Sequence, residues 1–222
     1  MESTLHRQLK TLYGGEDCSQ EVNVDGYRVD VCRNGQLVEI QQASLGALRT
    51  KTRNLLERHD VVIVKPLAVR KQLVWLAGRG RRTRIESRRL SPLRQTWAHV
   101  FDDLVHFVEV FPHSRLTLEV ALTEQEEHRR RLGRRWGRNY HVCDRVLVSV
   151  IDQRQLCTAE DLWNLLPQNL PRDFSTADLA NLAGIPRWLA QKAAYCLRKA
   201  AGAVPIGKQG NSILYRRPRV AA

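Results

Sequence analysis

The chain has 222 residues, 43% hydrophobic and 27% charged, enough to bury a core and too apolar to be disordered by composition. Its formal charge of +13 draws polyanions, of which nucleic acid is the commonest. Five scattered cysteines (Cys18, Cys32, Cys143, Cys157 and Cys196) include no CxxC pair, which argues against a zinc ribbon or a disulfide framework. No apolar run reaches a membrane span and Met1 opens no signal region, so the reading is soluble and cytoplasmic.

Leu5, Leu9 and Leu12 recur at helical spacing and stop at Gly14-Gly15, predicting a first helix. Three short β-type runs follow, Glu21–Val24, Tyr27–Arg33 and Gln36–Gln42. Asp25-Gly26 and Asn34-Gly35 between them are the strongest short-range signals for tight hairpins. Ser44 caps a second helix over Leu45–Arg58. Val61–Val64 reads as a buried strand ending at Lys65-Pro66, and Val69–Ala77 as another. Gly78–Arg94, with seven arginines against one acid, reads as an exposed basic loop or hairpin. Gln95–Phe111 has a helical apolar stripe, and Leu116–Leu122 alternates as a strand. Arg129–Arg138 is a second arginine cluster, and Val142–Val150 is apolar again.

The two hairpin turns fix a register. If both are two-residue turns, Arg33 faces Gln36 and Asp30 faces Glu39, while Val24 faces Tyr27 and Glu21 faces Asp30. Period-two alternation then puts Glu21, Asn23, Arg28, Asp30, Glu39 and Gln41 on one face. Val22, Val24, Tyr27, Val29, Val31, Val38 and Ile40 fall on the other. A solvated polar face explains alternation but not a row of like charges, which destabilises a strand pair. In so basic a protein, gathered carboxylates point to a cation among them. Mg²⁺ suits a site of two or three oxygen ligands completed by water and phosphate.

Asp30, then eight residues, then Glu39-Ile40-Gln41, resembles the PD-(D/E)XK nuclease signature, within the order helix, strand meander, helix, strand. The resemblance covers residues 1–150, most firmly 1–66. It implies an α/β fold with a restriction-endonuclease-like mixed sheet flanked by helices, similar to Holliday-junction resolvases. It also implies Mg²⁺- or Mn²⁺-dependent hydrolysis of DNA. Asp30, Glu39 and the Ile40 carbonyl would hold the metal. Gln41 stands where the family usually has lysine, and neutral Gln hydrogen-bonds a water without activating it as an ammonium does. Glu2 on the first helix would supply the extra acid of resolvase-like members, with Glu21 competing for that role by register. Lys51 (or Arg49) on the second helix would reach the scissile phosphate. The departure at Gln41 keeps a second reading open, a nuclease fold without activity serving as a DNA-binding regulator. An RNA-binding or ribosome-associated factor is the third.

Arg79, Arg81, Arg82, Arg84, Arg88 and Arg89 form one candidate phosphate-binding cluster. Arg129, Arg130, Arg131, Arg134, Arg135 and Arg138, with Trp136 among them, form another. From residue 153 to 217, three helices and a hairpin (Thr158–Leu166, Thr176–Ala183, Arg187–Ala201, then Ala203–Ile206 and Ser212–Arg216) resemble a winged helix-turn-helix domain. In it Arg187–Ala201 would be the recognition helix, offering Arg187, Gln191, Lys192, Arg198 and Lys199. Leu189, Ala193, Cys196, Leu197 and Ala200 would face the core, and Lys208 and Gln209 would occupy the wing tip. The expected partner is duplex or branched DNA. A homodimer is compatible with the family, although no interface is legible.

Overall fold

The computed structural model describes residues 2–78, 80–133 and 139–218. It is a mixed α/β chain built on a large mixed sheet flanked by helices. In chain order the elements are α1 (Thr4–Gly14), β1 (Cys18–Val24), β2 (Tyr27–Arg33), β3 (Gln36–Ile40), α2 (Arg49–Leu55, after a 3-10 turn at Leu45–Leu48), β4 (Val61–Ala77) and β5 (Arg84–Leu90). Then come α3 (Val100–Leu104), β6 (Leu116–Arg131), β7 (Tyr140–Leu156), α4 (Ala159–Trp163), β8 (Asp173–Ser175), α5 (Thr176–Ala183), α6 (Arg187–Lys199), β9 (Val204–Gln209) and β10 (Ser212–Arg216). The large sheet runs β1-β2-β3-β4-β6-β7, with β5 also paired to β4, and a small sheet runs β8-β10-β9.

Both expected hairpins form. Asp25-Gly26 and Asn34-Gly35 all have positive φ, the mirror-image turn whose twist matches the strands it joins. Val24 pairs with Tyr27 and Arg33 with Gln36, as the turn count requires. The clean partition into two faces does not hold. Val31, Val38 and Ile40 pack with Leu5 and Leu9 of α1, whereas Val29 joins Leu37 in the larger core. The alternation therefore changes phase at Asp30, opposite Glu21, whose φ of 57° turns the chain there. Leu12 departs from the expected apolar stripe of α1 and is exposed.

The expected pair of strands around Lys65-Pro66 is a single strand, β4. Even-numbered carbonyls of β4 face β3, as Val64 O does in accepting from Gln41 N, while Val61 N donates the other way, toward the β6 side. Pro66 faces the first side, beyond the end of β3 at Ile40, so its missing N–H breaks no ladder bond. On that same edge Ala68 N–H donates to Gln95 Oε1 at 2.7 Å, and β5 begins to pair only at Gln72. A gap is left in the sheet beside residues 65–70.

β4 and β6 run parallel from Val61↔Leu116 to Trp75↔Arg129, and β7 returns antiparallel along β6. The second basic stretch is thus partly strand, since Arg129, Arg130 and Arg131 end β6. The first arginine hairpin closes β4 onto β5. Parallel pairing puts both arginine clusters at one end of a four-stranded arm, although about fifty residues separate them in sequence. The outer edge of β7 is covered at Leu147, whose N–H donates to Gln8 Oε1 (2.8 Å) and whose carbonyl accepts from Gln8 Nε2 (3.2 Å).

The Gln95–Phe111 stripe is largely buried, but only its centre is α-helix, with a 3-10 turn before it and turns after it. Phe101, Leu104 and Phe107 are fully buried in a core that continues through Leu162, Phe174, Leu189 and Leu197 of the C-terminal elements. The anticipated inner face of α6 is buried, and so are Ala190 and Ala194. α6 lies against α3, with Lys192 bonded to Asp102 at 2.5 Å. No helix among the described residues is long and apolar enough to cross a membrane.

Candidate functional site

The β2–β3 ladder ends at Val31↔Val38, and one residue further the two predicted carboxylates take over its bonding. Ile40 N–H donates to Asp30 Oδ2 at 2.8 Å, and Asp30 N–H donates to Glu39 Oε1 at 3.3 Å. Side chains replacing main-chain bonds pry the strands apart and leave both carboxylates at the mouth of a cleft of about 600 Å³. Glu2, His6, Glu21, Arg28, Gln41, Lys51 and Arg145 also line it. Asp30 of β2, Glu39 and Ile40 of β3, Lys51 of α2, and Gln41 and Glu2, which lie just outside β3 and α1, thus all line one cleft.

Their partners are less expected. Lys51 contacts both the Glu39 carboxylate and the Arg28 carbonyl. His6 Nε2 lies 3.1 Å from Asp30 Oδ1 and 3.5 Å from Glu2 Oε1. Lys10, almost fully buried, holds Glu2 at 2.6 Å and also pairs with Glu21, which Arg28 grips from its other side. The protein therefore supplies cations for its own acidic row. Gln41 is turned out of the cluster, its Nε2 donating to Ser44 O at 2.6 Å. Glu2 reaches His6 and Lys10 and does not join Asp30 and Glu39. Among the described residues no three His, Cys, Asp or Glu side chains form a ready metal cage.

The environment separates the two central carboxylates. Burial pushes Asp30 upward, but hydrogen bonds from His6 and the Ile40 N–H and the charges of His6 and Lys10 outweigh it and hold Asp30 below its ordinary range. For Glu39 burial dominates, helped by the Asp30 charge. It stays above its ordinary value despite the bond and charge of Lys51. A pair pushed apart in this way is a feature of acid–base sites. The donor set fits a divalent cation: two adjacent carboxylates line an open cleft, with the second Glu39 oxygen uncommitted among the described residues.

His6, Lys10 and Arg145 were not legible as site residues. His6 and Lys10 share a face of α1, four residues apart, and that spacing was the one available signal. Arg145 comes from the arm and carried none.

The arginines divide by surroundings. Arg81, Arg82, Arg84, Arg88 and Arg89 are exposed and make no ion pair among the described residues. Arg129 is committed to the buried Glu127 and lies over Tyr140 at 4.0 Å. Arg130 reaches Thr83, and Arg131 pairs with Glu86 and lies over Trp75. The compensating acids lie outside the arginine runs themselves: Glu127 two residues back on β6, and Glu86 on β5, the strand beyond β4. Arg79, Arg134, Arg135, Trp136 and Arg138 lie outside the described residues. On α6, Gln191 and Arg198 are exposed, but Lys192 is tied to Asp102, and Arg187 to Thr176 and Ser212. Lys208 and Gln209 pair along β9 with Ile213 and Ser212, which moves the hairpin tip to Gly210-Asn211.

A family model described as "Domain of unknown function (DUF8091)" matches residues 3–157, ending one residue after β7. An uncharacterized protein of Treponema pallidum (strain Nichols) is 28% identical over 220 residues, covering 97% of this chain and 85% of that one. No solved structure matches.

Proposed function

The chain belongs to the DUF8091 domain family, and from the cleft enclosed by its matched region we propose a metal-dependent nuclease of PD-(D/E)XK type acting on DNA. The observation that carries the reading is the opening of the β2–β3 ladder at Asp30 and Glu39 onto a cleft faced by Lys51. The order α1, β1-β2-β3, α2, β4 supports a restriction-endonuclease-like core. The order α4, β8, α5, α6, β9, β10 supports a winged helix-turn-helix behind it.

In this mechanism Asp30 and Glu39 would hold Mg²⁺ or Mn²⁺, which would supply a Lewis acid that lowers the pKa of a water and offsets charge on the phosphate. His6 and the Ile40 N–H fix Asp30. Lys51 is the ammonium beside Glu39, so it takes the charge-stabilising part that Gln41, bonded to Ser44, leaves open. Glu2 and Glu21 hold the buried Lys10, and Glu21 also holds Arg28 at the rim. The exposed arginines of the β4–β5 hairpin supply sequence-independent affinity for the backbone.

The test is incubation with plasmid, linear and branched DNA in Mg²⁺ or Mn²⁺, beside Asp30→Ala and Glu39→Ala. Cleavage by the wild type and its loss in both variants is expected. A wild type that neither cuts any substrate nor binds a divalent metal ends the enzyme reading. It would leave a second one, a nuclease fold retained for DNA binding, which the internal ion pairs and the averted Gln41 favour.

A further inference from the structure

Beside the carboxylate cleft lies a second cavity of about 320 Å³, in the gap left in the sheet around Pro66. Gln42 and Arg145 line both spaces, so the two adjoin. Leu5, Pro66 and Ala68 give it apolar walls, and Lys71, Gln95, Gln125 and Arg145 join Gln42 as its polar side chains.

Hydrogen bonds settle which way the two amides face. Thr123 Oγ1 donates its proton to Leu67 O at 3.0 Å, so it accepts from Gln125 Nε2 at 2.8 Å. Gln125 is 6% exposed, and its Oε1 has no partner among the described residues. Gln95 is fixed the other way, because its Oε1 accepts the Ala68 N–H and its amide NH₂ is left over. The cavity thus offers one oriented acceptor and one oriented donor, the pair that the edge of a nucleobase requires. Arg145 and Lys71 stand 3.3 and 3.7 Å from one shared carboxylate, Glu127, which also serves Arg129. One acid among three cations leaves positive charge for a phosphate. The volume far exceeds what a phosphate needs and suits a single nucleotide.

We propose that this cavity receives one unstacked nucleotide of the strand whose backbone lies in the carboxylate cleft. The base meets Gln95 and Gln125 between the apolar walls, and its phosphate meets Lys71 and Arg145. The preferred substrates are then strands with an unpaired nucleotide beside the scissile phosphate: single strands, flaps or frayed ends. Burial, with the charges of Arg145 and Arg129, pushes Lys71 below its ordinary value despite Glu127, so an arriving phosphate would meet a cation short of counter-charge. The proposal rests on the nuclease reading for which strand enters, but its test does not.

Binding of fluorescein-labelled oligonucleotides to the full chain is measured by anisotropy in EDTA, where no cleavage occurs. A single strand should bind about tenfold or more tightly than an abasic strand of equal length, since one well-bonded base edge contributes on that scale. Gln125→Leu, checked for folding by circular dichroism, should reduce that ratio toward one while the abasic strand binds unchanged. In the wild type, titration with a deoxynucleoside monophosphate should shift the Gln95 and Gln125 side-chain amide resonances, and inorganic phosphate alone should shift them far less. Equal binding of abasic and base-bearing strands by the wild type, or undiminished discrimination by Gln125→Leu, overturns the proposal. DNA cleavage without discrimination would remove the nucleotide pocket alone, and discrimination without cleavage would remove the nuclease reading alone.

Discussion

Replacing Lys51 with methionine probes the electrostatics of the cleft directly. The side chain of Glu39 is 8% exposed and that of Lys51 17%, so their contact is largely shielded from water. Removing one partner of a buried pair strands the other charge, at a cost of about 3–5 kcal/mol. Glu39 keeps the Asp30 N–H and lies at a cleft, which puts the expected loss near the lower bound, about 3 kcal/mol. For a chain of this size that lowers Tm by about 6–12 °C. The sign with pH follows from Glu39, whose folded pKa lies above its ordinary value and rises further without Lys51. The folded variant then holds a proton that the unfolded chain releases, so its deficit grows as pH rises through that window and fades below it. Urea denaturation in EDTA at about pH 8 and about pH 5 should show the full deficit at the first and little at the second. Lys51→Met combined with Glu39→Gln, which removes both charges, should recover most of the loss. A single variant as stable as wild type at the higher pH, or a loss equally large in the Glu39→Gln background, would refute the pairing argument.

Three further outcomes follow from the arm and the C-terminal helices. Arg82→Ala and Arg88→Ala, at exposed and unpaired positions, should each lower the slope of log affinity against log salt by about 0.7–0.9; unchanged slopes would place the nucleic-acid track elsewhere. Gly78 has φ of 76°, and a Cβ there would collide with the Arg82 carbonyl oxygen. Gly78→Ala should therefore weaken oligonucleotide binding without altering Asp30- and Glu39-dependent metal binding, as read by parallel titrations. Asp178 caps α5, where bonds from the Ser175 backbone and hydroxyl hold it below its ordinary value. Its stabilisation is complete above that ordinary value and lost as pH falls through the lower folded one. Circular dichroism during acid titration should show a shallower helix loss for Asp178→Asn, and an identical profile would count against the cap.

The centre of the site was legible because tight turns count residues. Asp-Gly and Asn-Gly each demand a two-residue hairpin, and Asp30 beside Glu39 follows from arithmetic. The phase change at Asp30 was not, because it depends on the backbone of Glu21, and no residue type announces that a glutamate will adopt positive φ. The arm was missed for a compositional reason. Glu124–Arg131 and Arg84–Leu90 are too charged to show alternation, and they become strands because neighbours satisfy their main chains and cross-strand pairs such as Arg145–Glu127 their side chains. Pro66 suggested a break by the usual rule, and only the local absence of β3 makes it harmless. On α6 the helix itself was plain from its apolar spacing, while the engagement of Lys192 was hidden in the packing of α3.

The two bonds between Gln8 and Leu147 have a consequence for the solubility of the chain. β7 is a 17-residue strand at the rim of the sheet, with Val148 and Ile151 exposed along it. Such a rim is a template on which another polypeptide can add itself. Gln8 presents Leu147 with one acceptor and one donor, the pair a neighbouring strand would offer, and Thr4 ties the same helix to β7 by donating its N–H and hydroxyl to the Asp144 carboxylate. The helix that brings His6 and Lys10 to the carboxylates is thus also a stopper in the sheet. A chain whose first helix has lifted away loses its cleft and gains a sticky margin in the same movement.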